Sequence, residues 1–121
     1  MPSRLRPARV DEVADALHRL RQERAAPSDL RLLTRHFLAL LERTHPGKSV
    51  EVRVPPFAAI QCVAGARHTR GKPPAVVETD PTTWVELATG DLSWRAAVAA
   101  GRVRASGERS DLSTLLPILR P

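Results

Sequence analysis

The sequence predicts an α+β domain in which helices lie outside a central run of strands. Three observations carry this expectation. Apolar residues recur at helical spacing through the first third of the chain, and the period changes to two at Ser49. Asp80–Gly107 then returns to helix in two short phrases, each opened by a capping residue and closed by glycine, before a last strand. The element order reads α-α-β-β-β-α-α-β-α, which fits a small, mostly antiparallel sheet covered by helices.

The first nine residues hold Arg4, Arg6, Arg9 and two prolines, and read as a flexible basic arm ahead of a single domain over residues 10–121. Val10, Val13, Leu17 and Leu20 recur at helical spacing, with Asp11, Glu12 and Asp15 at the end where the helix dipole favours anions, which predicts a helix over about residues 10–25. Pro27 separates it from a second helix over about residues 29–44, capped by Ser28 or Asp29. Leu30, Leu33, Phe37 and Leu41 form its main stripe, broadened by Leu38 and Leu40, until His45-Pro46-Gly47 stops it.

Val50, Val52 and Val54 alternate with Glu51 and Arg53, the pattern of a strand with one wet face. Phe57–Val63 reads as a second strand and Ala75–Thr79 as a third, joined by the basic loop Ala64–Pro74. Asp80 and Pro81 open the first short helix, which places Trp84, Leu87 and Ala88 on one face; Ser93 opens the second, with Trp94, Ala97 and Val98 together. Arg102–Ser106 is the fourth strand. A last amphipathic helix is expected from Ser110 or Asp111, carrying Leu112, Leu115, Leu116 and Leu119.

At 121 residues the chain can build one core with little to spare. No 18-residue apolar run occurs, and the basic N-terminus is not followed by a signal-type apolar stretch. Cys62 has no partner for an internal disulfide, which fits a reducing cytoplasm. The net charge of +6 sits in the arm and in residues 46–74, where Lys48, Arg53, Arg67, Arg70 and Lys72 face Glu51 alone.

Catalytic chemistry is hard to find. Cys62 lies mid-strand and reads as a small buried hydrophobe. No Gly-x-Ser-x-Gly elbow, Walker loop or dinucleotide fingerprint is present. His18, His36, His45 and His68 are scattered over separate segments, which argues against a bound metal, and no cofactor or enzymatic activity is expected. Arg67, His68, Arg70 and Lys72 are candidates for an anionic headgroup or partner, or else form a solvated loop. With no Tyr, two Phe and two Trp, the chain offers few stacking platforms, which argues against nucleic acid. What remains is apolar surplus. Trp84 and Trp94 either anchor the core or line a cavity, and the two roles can coexist.

The segments PPFAAIQC (Pro55–Cys62) and RHTRGKPPAVVETDP (Arg67–Pro81), followed by the pattern of Asp80–Gly107, resemble the bacterial sterol carrier family proteins found in actinobacteria. That resemblance implies a sterol-carrier-protein-like fold and a non-enzymatic carrier that holds a sterol or fatty acyl ligand in an apolar cavity. Two helices before any strand, and a sheet shorter by one strand, depart from larger sterol carriers. The alternative is a protein-interaction module that keeps the fold and binds no lipid. Cavity candidates taken from the apolar pattern are Val52, Val54, Phe57 and Ile60 on strands, Trp84, Leu87, Trp94 and Val98 on the short helices, and Leu115, Leu116 and Leu119 at the end.

Overall fold

The computed structural model describes residues 5–65, 75–107 and 110–118. Four helices and four strands follow in the order α1 (Val10–Arg21), α2 (Pro27–Thr44), β1 (Val50–Val54), β2 (Ala58–Cys62), β3 (Ala75–Thr79), α3 (Pro81–Thr89), α4 (Trp94–Ala99) and β4 (Val103–Ser106). The chain is thus α+β, as the change of period predicts.

The strands form one sheet in the order β2-β1-β3-β4. β1 pairs antiparallel with β2, and β3 antiparallel with β4, while the central pair β1 and β3 runs parallel. The register sets Ile60, Val52, Val77 and Ala105 in one row across the sheet, since Val52 faces both Ile60 and Val77 and Val77 faces Ala105. Alternation separates the two faces: Val50, Val52, Val54, Ile60, Cys62, Ala75 and Val77 are buried, whereas Arg53, Gln61 and Arg104 on the other face are exposed. The helical layer meets the buried face through Leu33, Phe37, Leu38 and Leu41 of α2 and Trp84, Val85, Leu87 and Ala88 of α3.

Four details differ from the sequence expectation, each for a local reason. α1 ends at Arg21 because Glu23 adopts a left-handed φ of 58°, which a continuing helix excludes. α2 starts at Pro27, and Asp29 acts from the third helical position: its carboxylate reaches back to the Ala26 N–H at 3.0 Å and takes Arg19 on both oxygens, at 2.8 and 3.0 Å. Residues 5–9 lie against the helices, with Leu5 and Ala8 packed on the core.

The fourth difference is the C-terminal segment. The expected last helix is a single turn over residues 113–115. Leu115 and Leu116 donate to the Leu112 carbonyl at 2.9 and 3.2 Å, and the chain then leaves to put the Ile118 N–H on Ala88 O at 2.8 Å. Pro117 accounts for this: it has no N–H to extend a helix and disfavours helical geometry at Leu116. Leu112 and Leu116 are nonetheless buried in the core.

Gly90 closes α3 in the left-handed conformation, at φ 89°. Gly47, after α2, is required for another reason. A Cβ there would stand 2.1 Å from the Val63 carbonyl carbon and oxygen, so only glycine admits this close approach of the α2–β1 turn to the end of β2.

Candidate functional site

The region that the apolar pattern assigns to a ligand is the interior between the sheet and the helices. Val52 and Val54 enter it from β1, Ile60 from β2, Trp84 and Leu87 from α3, and Leu116 from the C-terminal segment; all six are buried in one cluster. Trp94 and Leu115 are half-buried at its margin, and Phe57 is half-buried in the turn between β1 and β2. Val98 is not brought in. It is 46% exposed, because α4 turns Ala97 to the core and Val98 to solvent. Leu119 and the anion candidates Arg67, His68, Arg70 and Lys72 lie outside the described residues.

Sequence reasoning missed the largest contribution. Leu33, Phe37, Leu38 and Leu41 of α2 cover the sheet and are fully buried, and the helical stripe that predicts α2 was the signal for them. With Val50, Val52 and Val54 they show 0% exposure. Side chains with no surface reachable by water border no void of water size, so no such void adjoins these residues.

Thr34, Thr79 and Thr83 are buried polar residues in this otherwise apolar interior. The Trp84 indole N–H donates to the Thr34 main-chain oxygen at 3.2 Å and ties α3 to α2. The Thr34 hydroxyl, on the same residue, is buried without a hydrogen-bond partner. Thr44 and Thr89 show the usual solution in this chain: their hydroxyls donate back to the carbonyls four residues earlier, Leu40 at 2.9 Å and Val85 at 3.0 Å.

A separate cleft of about 250 Å³ opens on the surface, lined by Pro55, Glu78, Thr79, Asp80, Gly101, Arg102 and Arg104. Its walls are a bonded network. Asp80 caps α3 by accepting the Thr83 N–H at 3.0 Å, and Arg102 donates to the Thr83 hydroxyl at 3.0 Å and to Glu86 at 2.6 Å. Burial pushes the Asp80 carboxyl up, but the hydrogen bonds from Thr83 outweigh it and hold the group below the usual carboxylate range. Charged walls and a volume below the roughly 300–1,000 Å³ of small-molecule pockets make this cleft a poor hydrocarbon site.

Cys62 is buried in β2, and burial pushes its thiol up to about 11, leaving it protonated at neutral pH. Among the described residues, no group of three or more His, Cys, Asp and Glu is placed to hold a metal ion. No helix among them is long and apolar enough to cross a membrane.

Residues 24–118 match the family model described as Bacterial SCP ortholog, SCP standing for sterol carrier protein. The matched span takes in every element from α2 to the C-terminal segment. No curated protein matches the chain.

Proposed function

The chain belongs to the bacterial sterol carrier protein ortholog family, and from that membership we propose that it is a non-enzymatic lipid-binding protein. It takes a fatty acyl or sterol-like ligand between the sheet and the helical layer. The observation that carries this reading is the family match over α2 to residue 118, joined to a sheet whose buried face is entirely apolar apart from Thr79. Hydrocarbon recognition needs apolar area and few polar groups, and this interior supplies both. A ligand entering there displaces side chains that water does not reach. A cytoplasmic location fits the free, buried Cys62.

The complete burial of Leu33, Phe37, Leu38 and Leu41 over Val50, Val52 and Val54 favours a second reading. In it the chain keeps the carrier fold with a closed interior and serves as a protein-interaction module. Organic extraction of the purified protein followed by mass spectrometry separates the two. Recovery of fatty acid or sterol-like lipid near one equivalent supports the carrier. Lipid-free protein that also fails to take up added lipid supports the interaction module.

A further inference from the structure

We propose that His36 is a pH-sensitive latch that holds the segment Leu5–Arg9 on the helical layer. Ala8 donates its backbone N–H to His36 Nδ1 at 2.9 Å, across 28 positions of sequence. The ring is 9% exposed and stands edge-on to Phe37, with centroids 4.9 Å apart at 74°. Leu5 and Ala8 pack on the core beside this bond.

The bond requires a neutral imidazole. A lone pair on Nδ1 accepts the amide, which leaves the ring proton on Nε2. Protonation puts a second N–H on Nδ1, facing the Ala8 N–H, so that donor meets donor in a buried place. Acid therefore removes the hydrogen bond and opposes the docked segment at the same step.

Among the described residues, His36 has no carboxylate partner in an ion pair, and its neighbour Arg35 is a cation. One turn to either side of His36 on α2 are Leu32, Leu33, Ala39 and Leu40. α2 packs against α1, α3 and β2. The ionisable groups of α1, namely Asp11, Glu12, Asp15, His18, Arg19 and Arg21, are all exposed. α3 brings Glu86, which is bound to Arg102, and β2 brings Cys62, which is neutral. On the segment itself Arg6 and Arg9 are exposed cations, and Arg9 pairs with Asp11 at 3.2 Å. Burial thus sets the direction and holds the ring below the ordinary histidine value.

The test is amide exchange of Ala8 in the full chain by NMR, expressed as protection over the intrinsic rate at each pH. Protection is expected to fall progressively as pH is lowered from 7.5 to 4, with the fall beginning below the ordinary histidine value because burial lowers the ring's pKa; each unit of pH below that pKa lowers the neutral fraction about tenfold. His36→Asn keeps an acceptor near the Nδ1 position and does not titrate, so its protection should hold across the same range. His36→Leu should lose protection at both pH values. Unchanged protection in the wild-type protein down to pH 4 overturns the latch. So does an equal acid loss in His36→Asn, which would place the titrating group elsewhere. The wild-type and Asn arms decide the matter even if the Leu variant does not fold.

Discussion

Trp84 on α3 donates its indole N–H to the main-chain oxygen of Thr34 on α2, a buried bond across 50 positions of sequence, while the Thr34 hydroxyl has no protein partner. The two atoms have opposite consequences for stability. Trp84→Phe removes the bond and part of a core side chain, and is expected to cost about 1–3 kcal/mol in urea unfolding. Thr34→Val keeps the shape, removes an orphaned hydroxyl and leaves the carbonyl in place; it is expected to stabilise the fold by about 1 kcal/mol. A fall in stability for Thr34→Val would mean that the hydroxyl is satisfied in solution.

Asp29 gives the fold an acid-sensitive joint between α1 and α2. Hydrogen bonds from Arg19 and from the Ala26 N–H hold its carboxyl below the ordinary value. A carboxylate depressed in the folded state contributes stability that is complete above its unfolded value, near 3.9, and is lost as pH falls through the lower folded one. Asp29→Asn should lower stability at pH 7 and flatten the decline between about pH 4 and 2, as read by chemical denaturation at each pH.

Gly47 is expected to be the least replaceable turn residue. Its φ is 154°, and a Cβ at this position would lie 2.1 Å from the Val63 carbonyl, so backbone rather than a flexible side chain would have to move. Gly47→Ala should cost more than about 2 kcal/mol in urea unfolding. Gly101→Ala provides the contrast, since a Cβ there meets nothing within 4 Å and the penalty is the left-handed φ of 71° alone, about 1 kcal/mol.

Cys62 should be inert until the sheet opens. Its thiol is fully buried and pushed up to about 11. Labelling by a water-soluble thiol reagent at pH 7.5 is expected to be at least about 100-fold slower in buffer than in denaturing urea, because the thiolate is scarce and unreachable. Comparable rates would show that the β2 edge opens readily.

Much of the fold was legible because alternation and helical spacing are local signals. Val50, Val52 and Val54 declare their buried face in five residues, and Leu33, Phe37 and Leu41 declare α2 as plainly. Pairing was less legible: the parallel contact of Val52 with Val77 depends on which side of β1 the chain returns to. In the six-residue α4, periodicity could not tell whether Ala97 or Val98 faces inward, and packing chose Ala97. At the C-terminus, four leucines outweighed Pro117 in the pattern, whereas backbone sterics at the proline prevailed in the fold. The His36–Ala8 bond joins groups too far apart in sequence for any local pattern to register.

Titration of lipid-stripped protein with a fluorescent fatty acid, cis-parinaric acid, and a fluorescent sterol, dehydroergosterol, tests the central claim most directly. The account predicts saturable binding of at least one probe near one equivalent per chain, displaced by its unlabelled counterpart. Signals that rise linearly with both probes, with no displacement, would contradict lipid binding and leave the closed core of Phe37, Val52 and Trp84 as purely structural.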